Sequence, residues 1–225
     1  DGGLYGDVVE EFDYETGRLL DTIDQLDLRD NTLIIYTSDN GPWNQDKYTK
    51  KKKGHPAGSV FWGDAGPLRN GKGSPYEGGY RLPCIVRWPD KVPAGRTSDA
   101  IFATIDFMPT FAALTGYTVP SDRRIDGIDQ TDLLLGKQES GRDHFYFQGA
   151  GIRSGNWKYL KPAAFFHNYA VEDDRTKVDE LYDLENDLGE RTNLASKHPE
   201  KVAELKELMS AVEQSDRLRP EDSKR

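Results

Sequence analysis

The 225-residue sequence has one cysteine, Cys84, and four histidines. A single thiol excludes an internal disulfide framework and any cysteine-rich zinc site, and it leaves the redox compartment unread. No apolar run approaches the about 20 residues that a membrane-spanning helix needs. Positive charge is the minority: 30 Lys and Arg stand against 39 Asp and Glu, a net charge of −9 that disfavours general nucleic-acid binding. The local exception is Lys50-Lys51-Lys52-Lys53. An initiator methionine and a signal peptide are also missing. The chain opens on Asp1, so the natural N-terminus is expected to have been removed or not included. The sequence contains no internal repeat and no extended low-complexity segment.

What is present suffices for one large domain, or a domain plus a small one. Hydrophobic residues make up 36% and charged residues 31%, the balance of a globular chain. The stretch from Thr32 to Gly79 organises the rest. Thr32 to Thr37 is β-branched, aliphatic and aromatic, which predicts a strand covered on both faces. Ser38-Asp39-Asn40-Gly41-Pro42 stops it abruptly. In open α/β sheets ligands sit beyond the carboxyl ends of strands, which places Asp39 and Asn40 at such a crevice. Before this strand, Asp7 to Leu26 reads as an amphipathic helix, with Val8, Phe12, Leu19, Ile23 and Leu26 at threes and fours. After it, residues 42–70 form a long polar, glycine-rich segment. Loops of that length are functional or disordered.

A second apolar strand is expected over Cys84–Arg87, with Cys84 as a buried core thiol. A helix is expected from Asp106, with Asp106 as N-cap, Pro109 in the first turn and Gly116 beyond the end. Asp122 to Gly136 reads as a connection with one short helical piece. Four short strands are then expected at His144–Gln148, Gly151–Arg153, Trp157–Lys161 and Glu180–Leu184, with a hairpin turn at Ser154-Gly155-Asn156. A last helix starts at Pro199 and carries Val202, Leu205, Leu208 and Val212 on one face. The layout predicts a partial parallel or mixed sheet with flanking helices over residues 1–136. A small antiparallel subdomain with a covering helix occupies 137–216, and a frayed tail 217–225.

The polar residues carry two readings each. Asp39 and Asn40 offer a carboxylate and an amide oxygen side by side, the donors that calcium and magnesium take, but Asp-Asn-Gly is also a strong turn sequence. Two side chains fall short of calcium's six to eight oxygens. Lys72, between Gly71 and Gly73, can present an ammonium to an anion without bulk beside it, or be a solvated loop lysine. Glu77 can pair with Arg81 or Lys72, or serve as a helix-start or turn residue. His55 can donate to a substrate oxygen or simply lie on the surface. The lysine run 50–53 is a solvated face, or a lure for a polyanion at the mouth of a site. His144, His167 and His198 show no ligand spacing.

Order and context bring these residues together. Asn31 to Pro42 (NTLIIYTSDNGP) closely resembles the second metal-binding strand of type I sulfatases, and Gly66 to Gly79 (GPLRNGKGSPYEGG) resembles their active-site lysine motif. Trp88-Pro89, Thr104–Thr110, Ile125-Asp126-Gly127, Ile152–Tyr159 and Leu181–Asp187 follow in that family's order. The resemblance covers almost the whole chain and is closest to the arylsulfatase A-like and N-acetylgalactosamine-6-sulfatase-like branch. It implies an alkaline-phosphatase-like α/β fold with a small C-terminal antiparallel sheet. It also implies hydrolysis of sulfate monoesters, of an aryl or carbohydrate substrate, by a formylglycine nucleophile beside calcium. Carried over by position, Asp39 and Asn40 are calcium ligands, and Lys72 contacts the sulfate and stabilises the leaving oxygen. The resemblance further implies an exported protein, periplasmic, extracellular or lysosomal.

The departures are equally specific. The family's Cys-x-Pro-x-Arg or Ser-x-Pro-x-Arg motif does not occur, and Cys84, followed by Ile-Val-Arg, does not qualify. The upstream Asp-Asp pair, second lysine and histidines also lack counterparts. The chain therefore resembles the C-terminal half of a sulfatase, with an incomplete calcium site and no activity expected alone. An open strand edge at Thr32–Thr37 and exposed apolar surface are expected, with self-association or dependence on the missing half. Two other readings stand beside this one. The first is a non-catalytic relative that binds sulfated glycans. The second is a related phosphodiesterase, disfavoured because no zinc-type histidine spacing is present. The loop 43–70 and the segment 149–177 are expected to shape the pocket, with Trp43, Trp62, Phe165 and Phe166 available to stack on sugars.

Overall fold

The computed structural model describes residues 3–43, 63–122, 124–164 and 176–217. His55, the lysine run 50–53, Trp62, Phe165, Phe166 and the tail beyond 217 lie outside the described residues. Contacts divide the chain into two compact units. One holds Asp1–Asp90 with Asn186–Arg191; the other holds Lys91–Ala164, Thr176–Glu185 and Thr192–Arg225. This division and the expected cut after residue 136 are different partitions of the chain.

The first unit opens with helix α1, Gly3–Gln25. It ends where Asp27 adopts a left-handed conformation (φ 55°) and the Leu28 N–H donates back to the Ile23 carbonyl at 3.0 Å. A turn of 3-10 helix, Arg29–Asn31, leads into strand β1, Ile34–Thr37. The short helix α2, Glu77–Tyr80, precedes strand β2, Cys84–Arg87. β1 and β2 pair antiparallel, with Ile34 opposite Arg87 and Thr37 opposite Cys84. The Thr37 hydroxyl donates to the Pro83 carbonyl at 2.9 Å, fixing the end of β1 that leads to Asp39. An Arg87–Asp24 ion pair at 3.1 Å and the Trp88 indole N–H on the Asp30 carbonyl at 3.0 Å bind this ribbon to α1 and its turn.

Three expectations need correction here. The expected parallel or mixed sheet appears, among the described residues, as a two-stranded antiparallel ribbon. β1 is half-buried rather than covered on both faces, because a two-stranded ribbon buries little of either face. Cys84 is exposed, not a core thiol. Helix α1 forms with the expected periodicity, yet none of its residues is buried. Val8 is 65% exposed, Phe12 58% and Leu19 56%. Phe12 keeps one aromatic neighbour, Tyr36, with ring centroids 5.5 Å apart. The exposed apolar surface expected from the sequence is present on this helix.

The second unit begins with a 3-10 turn, Thr104–Asp106, and helix α3, Phe107–Thr115, closed by Gly116 at φ 72°. Asp106 does not cap α3 as expected. It is fully buried and instead accepts from the Ala103 N–H at 3.0 Å and the Ile128 N–H at 2.9 Å, and it pairs with Arg142. Helix α4, Thr131–Leu134, is the short helical piece expected before residue 136. The four short strands are β3 (His144–Tyr146), β4 (Gly151–Ser154), β5 (Trp157–Leu160) and β6 (Glu180–Asp183), antiparallel in that order. Gly155 at φ 54° makes the expected hairpin between β4 and β5.

Ile152, Tyr159 and Leu181 face one another across β4, β5 and β6, so they share one side of the sheet. Helix α5, Pro199–Arg217, lays Val202, Leu205 and Met209 on that side, with Leu208 and Val212 at its margin. The other side carries Lys158, fully buried, with its ammonium 4.5 Å from the Phe147 ring centroid.

Two outcomes are expected. Leu205→Ala removes a fully buried side chain and should cost about 2–5 kcal/mol in urea unfolding. The open face of α1 should make the chain self-associate with rising concentration in analytical ultracentrifugation. Val8→Glu with Phe12→Glu should suppress this. A monodisperse wild-type monomer with cooperative unfolding would contradict it.

Candidate functional site

The turn after β1 and the loop before α2 are built into each other. The Gly41 N–H donates to the Gly79 carbonyl at 3.1 Å, and the Lys72 N–H donates to the Pro42 carbonyl at 2.9 Å. These two backbone bonds bring Asp39-Asn40 beside Gly71-Lys72-Gly73. The Ser38 hydroxyl donates to the Asn40 carbonyl at 3.1 Å and tightens the turn. On the other side, Asn70 sits at φ 61° and its side-chain oxygen accepts from the Gly71 N–H at 2.9 Å. The buried Ser74 hydroxyl donates to the Gly71 carbonyl at 2.9 Å.

Glycine makes this interlock possible. A Cβ at Gly41 would lie 1.7 Å from the Gly78 carbonyl oxygen. A Cβ at Gly78 would meet the Asn70 oxygen at 2.3 Å, and one at Gly79 the Ser74 oxygen at 2.4 Å. In the sequence, the glycines beside Lys72 read as room for a ligand to approach. At 41, 78 and 79 glycine has a different role in the structure, which is to let two backbones approach each other.

Asp39 is exposed, while Asn40 and Lys72 are half-buried. Among the described residues no hydrogen bond or ion pair engages the side chains of these three. Glu77 is the first residue of α2 and pairs with Arg81 at 3.0 Å rather than with Lys72, so the helix-start reading and the Arg81 pair hold together. The oxygen donors of Asp39 and Asn40 suit a hard cation, to which they could supply two ligands. Among the described residues no group of three or more His, Cys, Asp or Glu is arranged to hold a metal. His55 lies outside the described residues, and Trp43 is exposed.

A second ring of residues, of which only Glu77 stands out in the sequence, supports the Lys72 loop. The Arg69 guanidinium lies 3.6 Å from the centroid of the buried Tyr76 ring and donates to the Glu190 carbonyl at 3.0 Å. The Glu190 carboxylate accepts from the Glu77 N–H at 2.7 Å. Glu190 is 113 residues from Glu77, and no local pattern signals that contact.

Gly41→Ala should test the interlock. Steric conflict with the Gly78 carbonyl should cost more than about 3 kcal/mol, measured as a fall in urea stability, or prevent folding outright.

Comparison with known proteins gives the chain its family. The family model described as Sulfatase matches residues 3–117, and that described as N-sulphoglucosamine sulphohydrolase, C-terminal, matches 71–216. The chain is 37% identical over 221 residues to an N-acetylgalactosamine-6-O-sulfatase of Bacteroides thetaiotaomicron, covering 93% of this chain and 42% of that protein. Human arylsulfatase A is 33% identical over 241 residues, covering 95% of this chain and 44% of the relative. The chain thus spans less than half the length of these curated relatives. A solved structure from work on glycosaminoglycan metabolism by Bacteroides thetaiotaomicron superposes with a TM-score of 0.78 at 36% identity, covering 95% of this chain and 45% of that one. A second, solved in complex with its substrate D-glucosamine-2-N,6-O-disulfate, gives 0.64 at 30% identity, covering 92% and 39%. The α/β architecture is that of the alkaline-phosphatase-like sulfatase fold, and the chain belongs to the type I sulfatase family.

Proposed function

We propose that this chain contributes one side of the anion site of a sulfuric ester hydrolase acting on a sulfated carbohydrate. The observation that carries the reading is the pair of backbone bonds joining the Asp39-Asn40 turn to the Lys72 loop, Gly41 to Gly79 and Lys72 to Pro42. They tie the turn that carries Asp39 and Asn40, the candidate hard-cation ligands, to the loop that carries Lys72. The named activities of the relatives, and the sulfated amino sugar bound to one of them, support the substrate class.

The chemistry follows from charge. A sulfate ester keeps its negative charge on peripheral oxygens, and cleavage moves charge onto the departing alcohol oxygen. Fixed cations that meet these oxygens lower the barrier without reorganising. Lys72 would hold one sulfate oxygen and stabilise the leaving oxygen as the bond breaks. Lys72 is half-buried, and its ammonium, without an intramolecular ion pair among the described residues, keeps its donors for that purpose. Asp39 and Asn40 would hold calcium, which when bound supplies fixed positive charge to the sulfate oxygens. The remaining calcium ligands and the nucleophile would come from outside these residues. The sequence contains no Cys-x-Pro-x-Arg or Ser-x-Pro-x-Arg motif.

Three measurements on the chain test this. Calcium titration followed by NMR should perturb the Asp39-Asn40 amides, and Asp39→Ala should abolish the effect. Inorganic sulfate should shift the Gly71 and Gly73 amides, and Lys72→Ala should weaken that binding by about tenfold or more. Hydrolysis of an aryl sulfate should be undetectable with or without calcium. Calcium-dependent turnover by this chain would contradict the division of roles. Sulfate binding unchanged by Lys72→Ala would remove the anion site.

A further inference from the structure

We propose that Glu190 is a positioning residue for Lys72, clamping both ends of the loop that carries it. The inference rests on the reading of Lys72 as the anion-binding cation. Its geometry stands independently. Lys72 lies between Arg69 and Glu77. At the first end, Arg69 donates to the main-chain carbonyl of Glu190 at 3.0 Å. At the second, the Glu77 N–H donates to the Glu190 carboxylate at 2.7 Å. The loop also closes on itself, through the Gly78 N–H to the Arg69 carbonyl at 2.9 Å and the Arg69 guanidinium over Tyr76. One residue from a distant segment therefore sets the separation of both loop ends.

Glu190 is itself held rigidly. It is 1% exposed, so its carboxylate has little water to fall back on. It occupies the left-handed region at φ 50°, and its N–H donates to the Asp187 carbonyl at 3.1 Å. The Arg191 N–H donates to the Asp187 carboxylate at 2.8 Å. Before it, Gly189 lets the segment lie against residue 67: a Cβ there would be 3.0 Å from the Pro67 carbonyl oxygen. A turn closed by its own carboxylate thus presents Glu190 to the loop. Such outer residues commonly fix the orientation of a functional group.

Side-chain chemistry defines the test. Glutamine keeps both the length and an oxygen acceptor for the Glu77 N–H. Aspartate is one methylene too short, and alanine has no acceptor. Amide hydrogen exchange is measured by NMR on the whole 225-residue chain. Glu190→Ala should speed exchange at Lys72 and Gly78 by about tenfold or more and leave Leu205 in α5 unchanged. Glu190→Gln should restore exchange to within about twofold of wild type. Unchanged exchange at Lys72 and Gly78 in the alanine variant overturns the proposal, as does equal acceleration at Leu205. If the alanine variant does not fold, Glu190→Asp is measured against the same two outcomes. In parallel, inorganic sulfate should bind the destabilised variant more weakly than Glu190→Gln. A wild-type sulfate affinity that Lys72→Ala does not change would overturn the anion-site reading alone, because exchange at Lys72 and Gly78 still decides the clamp.

Discussion

A carbonyl oxygen occupies the space where any other residue at position 41 would carry a side chain. The Gly78 oxygen lies 1.7 Å from that Cβ position. The rest of the site depends on this approach, because it lets the turn after β1 and the loop before α2 share hydrogen bonds. Asp39, Asn40 and Lys72 belong to flexible-looking sequence, yet the backbone beneath them is shared and therefore stiff. A site that binds an anion gains from such stiffness, since donors already in place lose less ordering entropy on binding.

Polar groups are used in this unit in two ways. Below the loop, buried charges meet partners: Glu190 takes the Glu77 N–H, and Glu77 takes Arg81. Above it, Asp39, Asn40 and Lys72 keep their side chains out of such pairs among the described residues. Glu77 and Glu190 are tied to partners, although one Glu190 carboxylate oxygen, Oε1, is buried without a hydrogen bond among the described residues. That contrast distinguishes these three side chains from a structural ion-pair network, in which the same residue types would neutralise one another.

Local elements are the legible part of the fold. The hairpin at Gly155, the helix from Pro199 and the left-handed Gly116 each follow from residues a few positions apart. Asp39, Asn40 and Lys72 stand out by type and order, and the structure puts their turns side by side. Burial is less legible. The period of α1 is plain in the sequence, but periodicity says which face is apolar and not whether anything covers it. Cys84 meets the same limit: an apolar run predicts a strand, and the number of neighbouring strands decides exposure. Asp106 looks like a cap because its position suits one, yet its carboxylate is taken by Ala103, Ile128 and Arg142. Glu190 gives no signal at all, since a contact across 113 residues leaves no trace in local spacing.

That long separation has a consequence in time. A ribosome emits the chain N-terminus first, at about 5–20 residues per second. Glu77 therefore emerges 113 residues ahead of Glu190, an interval of roughly 6 to 23 seconds. Throughout it, the loop bearing Lys72 has its own glycines and hydrogen bonds but lacks the residue that joins its ends. The β4–β5 hairpin of the second unit, whose contacts are short in sequence, can form during that wait, whereas the sheet's covering helix α5 emerges only after Glu190. The loop that carries Lys72 is thus closed only when a segment more than a hundred residues downstream has been made.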